Sequence, residues 1–288
     1  MKWRAKLRRW GLPLVAGVWV GLCISAVERS LTTNQLGGAI AGDPAPELPA
    51  VDAGNDWGQH TPRTSAVRQL PGGMSLEPGR LRANVKTEFN PDVESPRVDK
   101  TAYLDPMSSV IGDVEIGRGV FVAPFASLRG DQGQPIYIGN DSNVQDGVVI
   151  YGLRTFSEGK PILEHMYVVR GENYSVHVGD RVSLAQQSQV HGPVWIENDV
   201  FVGMQAFVFK SHIEAGVVVE PGASVIGVTV PAGRYVPARA VVTTQDVANR
   251  LPEITFSYGL RDINKATVHV NRSLAIGYSG GVPASHAR

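Results

Sequence analysis

The sequence predicts an all-β fold, a parallel β-helix of hexapeptide repeats with a C-terminal α-helix packed along it. Three observations carry this expectation. Aliphatic residues recur every sixth position from Val110 onward, glycine often follows them, and 32 Gly and 19 Pro beside only 7% aromatic residues favour many short turns over a helical bundle. Acids and bases balance at 27 each, so a nucleic-acid partner has no electrostatic basis. The single cysteine, Cys23, excludes a disulfide scaffold, a Cys-rich zinc module and a CxxC redox site.

The chain opens with five bases, Lys2, Arg4, Lys6, Arg8 and Arg9, ahead of any acid. An apolar run from Gly11 to Val27 follows, interrupted only by Pro13 and Ser25, and then Glu28 and Arg29. That order is the form of an export signal. The run is long for a signal peptide and slightly short for a spanning helix of about 20 residues, so residues 1–27 read as a signal peptide, cleaved near Ala26, or as a membrane anchor. Either reading makes the protein exported, periplasmic or extracellular. Without residues 1–26 the chain carries 22 bases against 27 acids, a net charge of −5.

Residues 28–98 are rich in Pro, Gly, Asn, Asp and Thr and show no apolar period of 2 or 3.6, which predicts a disordered tether. Its last part, from Asn90 to Pro106, is expected to lie extended against the folded domain, because Tyr103 and Leu104 stand just ahead of the first regular repeat.

The repeats occupy residues 99–245. Val110, Ile116, Val122 and Leu128 are spaced by six, as are Ile138, Val144 and Ile150 after a short insertion. The strictest run is Val178, Leu184, Val190, Ile196, Val202 and Val208; Ile213, Val219, Val225 and Val230, Val236, Val242 continue it after two steps of five. A period of six fits a coil whose flat sides are short strands and whose corners need small or left-handed residues, three hexads closing one triangular turn. Each aliphatic side chain then points inward and stacks on its equivalents in neighbouring coils, a core that no single repeat could bury alone. Residues 246–280 form a C-terminal helical segment in which Ile263, Ala266, Val270, Leu274 and Gly277 trace an apolar stripe at helical spacing; residues 281–288 are a tail. Solenoids of this kind need capping and association, so an oligomer is expected.

Three stretches carry a family resemblance: Ala123 to Leu153, Val178 to Pro193 and Val200 to Ser211. With the Arg-x-Asp of Arg129 and Asp131, the Asn-x-Gln-Asp of Asn143, Gln145 and Asp146, and the Gly192-Pro193 turn, they closely resemble the γ-class carbonic anhydrases, and the resemblance runs from roughly Phe89 to Tyr278. It implies a left-handed β-helix, a homotrimer, and a zinc or iron site at each subunit interface held by three histidines, two from one subunit and one from its neighbour. Carried over residue by residue, the ligand positions are Tyr151, Gln186 and His191, only the last a histidine. The spacing agrees, since Tyr151 and His191 each follow an inward aliphatic residue, Ile150 and Val190.

A hydration zinc needs about three nitrogen or carboxylate ligands and an open position for water. A glutamine amide is a poor ligand, and tyrosine must first lose a proton with a pKa near 10. Where the family resemblance implies shuttle glutamates, this chain has Gln132 and Arg154, neither of which passes protons near neutral pH. The polar lining implied by the resemblance is present in Asn143, Gln145 and Asn271, and Arg129 with Asp131 is expected to tie subunits together. At the C-terminal helix, His269 stands where the family commonly has a tyrosine, a possible substitute ligand. The other histidines, His60, His165, His177, His212 and His286, show no ligand spacing.

These substitutions predict a non-catalytic structural or assembly subunit, part of a larger envelope or membrane assembly, with no cofactor beyond zinc or iron if a metal is retained. The alternative is a weakly active or differently ligated carbonic anhydrase, converting CO2 and water to bicarbonate and a proton. A hexapeptide acyltransferase using His191 as base is a third class, disfavoured because the motifs are those of carbonic anhydrases and there is no evident acyl-carrier or nucleotide loop.

Overall fold

The computed structural model describes residues 80–280. The expected export signal or anchor, the tether as far as residue 79 and the tail at 281–288 lie outside the described residues. Within them the hexads close into a solenoid of stacked triangular coils joined by parallel strand pairing, and the inward residues form three columns. The first face stacks Leu81, Val110, Leu128, Ile150, Val190, Val208, Val225 and Val242 in register. The second stacks Val98, Ile116, Ile138, Val178, Ile196, Ile213 and Val230. Leu104, Val122, Val144, Leu184, Val202, Val219 and Val236 make the third. From Val110 on, every member of these columns is at most 1% exposed, which is the packing the period of six calls for.

The corners are shared between two devices. Residues flanking the third face adopt the left-handed conformation, and many are not glycine: Phe125, Asp141, Arg181, Gln187, Asp199 and Gln205 all have φ between 54° and 63°. The glycines that directly follow inward residues serve closeness instead. A Cβ on Gly139 would sit 2.4 Å from the Gly179 carbonyl, and one on Gly203 would sit 2.7 Å from Pro221 N, so a side chain there would force two coils apart. Between the first and second faces the strands Gln189–Ile196 and Phe207–Ile213 continue through the corner, the second by way of Lys210 in the left-handed conformation at φ 48°.

Strand pairing starts earlier than the composition suggested. Leu81–Arg82 and Arg97–Val98 add a coil to the first and second faces, and the Arg80 guanidinium donates to the Leu104 carbonyl at 2.6 Å, so the expected tether boundary at residue 98 is corrected. Alternation was absent there because strands of two residues are too short to show a period. At the other end α1 (Gln245–Asn249) and the two residues past it bring the buried Ala248 and Leu251 onto the core, capping the last coil.

Helix α2 (Ile263–Tyr278) packs along the solenoid, as expected; it lies on the third face and packs through a different side from the expected one. Its buried residues are Asn264, Asn271 and Ala275, whereas Val270 and Leu274 are 54% and 39% exposed. Ile263 of the apolar stripe does pack, against Ala185, Phe201 and Val218, but beyond it the contact stripe is one residue on from the apolar stripe, a rotation of about 100°. Polar anchors set it: Asn264 donates to the Arg181 carbonyl at 2.8 Å, Arg272 pairs with Asp141 at 3.3 Å, and Tyr278 stacks on Tyr103.

Candidate functional site

On a strand of the first face, the residue after each inward aliphatic points outward, and strand register aligns those residues coil upon coil. The result is a ladder of Ile111, Arg129, Tyr151, His191, Phe209 and Ile226. Tyr151 and His191 are thus adjacent rungs, as their matched positions after Ile150 and Val190 require. The His191 ring meets Tyr151 edge-on at 4.1 Å and Phe209 edge-on at 4.9 Å, so it sits between two aromatic neighbours. Its Nδ1 lies 3.2 Å from the Gly192 carbonyl, next to the cis Gly192-Pro193 bond.

Arg129, the rung on the other side of Tyr151, donates through Nη2 and Nε to Asp131 Oδ2 at 3.0 and 3.2 Å. The same carboxylate accepts from Gln132 Nε2 at 3.3 Å on its other oxygen. The Arg-x-Asp pair and Gln132 are therefore one intrachain network. Arg154, the second, is exposed, and its carbonyl accepts from His165 Nδ1 at 2.8 Å.

Gln186 is not on this ladder. It is exposed at the corner between the third and first faces, where its carbonyl accepts from Gln205 N at 3.0 Å and the following residue, Gln187, bonds the Asp146 carbonyl. Within one chain, two of the three expected ligand positions, Tyr151 and His191, are brought together and the third, Gln186, is held apart. Asn143 and Gln145 form a buried polar chain at the edge of the third face: Gln145 donates to Asn143 at 2.8 Å and Asn143 to the Ser183 hydroxyl at 2.9 Å. Each is satisfied, which is what permits their burial. Asn271, also buried, donates to the Thr267 carbonyl within α2, while His269 is exposed on that helix. The helix lies on the third face and the ladder on the first, so a single chain does not join His269 to Tyr151 and His191.

Two participants escaped the reading of the sequence. Ser183 stands one residue before an inward leucine, as Asn143 stands before Val144, but the long insertion between coils separates them in sequence. Phe209 follows Val208 by the same rule that gave Tyr151 and His191, and that rule alone would have found it.

The donor set does not fit zinc within one chain. A structural or hydration zinc takes several imidazole, thiolate or carboxylate ligands, and the ladder offers one imidazole between a phenol and a phenyl ring. No cluster of three His, Cys, Asp or Glu residues suited to a metal ion occurs among the described residues.

No family model matches the chain. Individual relatives do. A carbonic anhydrase of Methanosarcina thermophila is 52% identical over 199 residues, covering 69% of this chain and 81% of that protein. The carboxysome assembly protein CcmM of a Nostoc species is 36% identical over 201 residues, a match spanning about a third (34%) of that longer protein. Gamma carbonic anhydrase 2, mitochondrial, of Arabidopsis thaliana is 34% identical over 140 residues, covering 49% of this chain and 44% of that protein. With the coiled fold and the matched ladder positions, these relatives lead to one conclusion: the chain belongs to the γ-class carbonic anhydrase family.

Proposed function

We propose that this protein is a non-catalytic structural member of its family, an exported homotrimer that serves as a subunit of a larger envelope or membrane assembly. One observation carries the reading: the rung beside His191 is the Tyr151 ring, at 4.1 Å, where hydration chemistry would need a second nitrogen ligand. Gln132 and Arg154 support it, because neither an amide nor a guanidinium relays protons near neutral pH. Relatives named as carboxysome assembly proteins are in keeping with an assembly role. The separation of Gln186 from the Tyr151 and His191 rungs suits a site completed by a second copy, and exposed Val270 and Leu274 offer α2 an apolar side for that copy.

Metal analysis of anaerobically purified protein alongside a CO2 hydration assay tests this. The wild type is expected to show little or no metal-dependent hydration, and Tyr151→His with Gln186→His to raise bound metal more than either change alone, since the ligands of one site act together. Robust metal-dependent hydration by the wild type overturns the reading.

A second reading, a differently ligated metal centre, is favoured by the exposure of His269 on α2, where it is available to another copy. His191 and His269 would then share an ion with Tyr151 or Gln186, and His191→Ala and His269→Ala would each lose it.

A further inference from the structure

The insertion between the first and second faces, residues 152–175, folds into two small hairpins around a short 3-10 turn. The second hairpin, Tyr167–Val169 paired with Glu172–Tyr174, lies over the second face. Of the outward ladder of that face, it covers the rungs Tyr137, His177, Trp195 and His212. Two imidazoles take the cover. Tyr174 meets His177 edge-on at 4.9 Å, Tyr137 stacks on it at 4.9 Å, and the two tyrosine rings are 6.0 Å from each other. Tyr167 lies 6.2 Å from His212, which stacks on Trp195 at 4.1 Å.

The two imidazoles differ in what a proton would meet. His212 Nε2 is 2.9 Å from the Glu197 carboxylate, so its charged form has a partner. His177 Nδ1 is buried without a hydrogen-bond partner. The groups facing His177 are Tyr137 from one neighbouring coil, uncharged Trp195 from the other, and Tyr174 with the Arg170 guanidinium from the hairpin. Asp180 at the following corner opposes Arg170, but one of its oxygens is already engaged by Asn140 N at 2.7 Å and by the Asn140 amide at 3.2 Å. Glu115 lies beyond Tyr137.

We infer that the Tyr167–Tyr174 hairpin is a proton-sensitive cover, seated on the second face while His177 is neutral and released when His177 takes up a proton. A charge there would stand against the Tyr137 and Tyr174 rings and beside Arg170, with no acceptor at Nδ1 and only the backbone hydrogen bond at His177 to favour it. Burial first, and Arg170 second, lower the His177 pKa to about 4 in the seated state. With the hairpin lifted the ring returns toward the ordinary value of about 6.5. The seated state has the lower pKa, so this contribution to seating is complete above about pH 6.5 and is lost as pH falls toward 4. The limit is about tenfold per pH unit and about 300-fold in all.

Hydrogen exchange of the full chain between pH 7.5 and 4 tests the cover independently of what the first face does. After correction for intrinsic exchange, protection of residues 167–174 should fall up to about tenfold per pH unit below about 6.5 while that of the core strand at 189–196 stays level. His177→Phe keeps an aromatic rung that takes no proton and should abolish the slope; His212→Gln should leave it. A level hairpin profile in the wild type, or a slope that survives His177→Phe, overturns the proposal. Should His177→Phe not fold, the imidazole titration of His177 in the wild type decides: a value near 6.5 with the hairpin still protected overturns it, and a strongly depressed one supports it.

Discussion

The first and second faces of the solenoid are built by one rule and end as opposites. Both stack aliphatic residues inward, and both carry an outward ladder aligned rung for rung. On the first face Arg129, Tyr151, His191 and Phe209 pack on one another, His191 edge-on between the Tyr151 and Phe209 rings. On the second, Tyr137, His177, Trp195 and His212 lie under a hairpin that the chain itself supplies. The inward rule sets stability and leaves the outward positions free, so where the chain places its one long insertion decides which face is closed from within.

The comparison breaks most visibly if the two inner columns are not equivalent. Leu128→Ala on the first face and Ile138→Ala on the second each open a cavity in a fully buried column, and each is expected to cost about 2–5 kcal/mol in urea unfolding. A difference between them approaching that whole amount would mean that the faces do not share one core.

Outward substitutions sharpen the contrast. Trp195→Ala removes the ring that stacks on His212 under the hairpin, and should cost about 2 kcal/mol of protomer stability with the sedimentation profile unchanged. The double variant Arg129→Ala, Asp131→Ala should do the reverse, shifting the proposed trimer toward monomer in sedimentation at low concentration. A double variant that remains trimeric with unchanged stability removes the proposed interface role of that pair.

The smallest effect is expected at a corner. Arg181 and Asp199 join adjacent coils through two bonds of 2.7 Å, but their side chains are 46% and 52% exposed, so water and salt screen them. Arg181→Ala should cost less than about 1 kcal/mol, and less again in high salt; a larger loss would show that corners, not columns, hold the second and third faces together.

What could be read in advance follows the same division. Val178, Leu184, Val190 and Ile196 declared the coil because a buried column tolerates few residue types and repeats them at a fixed interval. The adjacency of Tyr151 and His191 could be inferred because each directly follows a member of that column. The side of α2 that packs could not: Asn264, Asn271 and Ala275 are the contacts, and their partners on the third face, the Arg181 carbonyl among them, belong to coils distant in sequence. Nor could the ordered start at Leu81, since strands of two residues carry no period.

By itself the sequence determined the inward columns from Val110 onward and the side chains that stand at Tyr151, Gln186 and His191, because inward packing and side-chain chemistry are properties of single positions. Only the tertiary structure decided which outward residues meet, that His191 lies between Tyr151 and Phe209, and that the insertion hoods His177. Those contacts join residues from different coils, and what brings them together is strand register, which no local spacing records once insertions of unequal length separate the repeats.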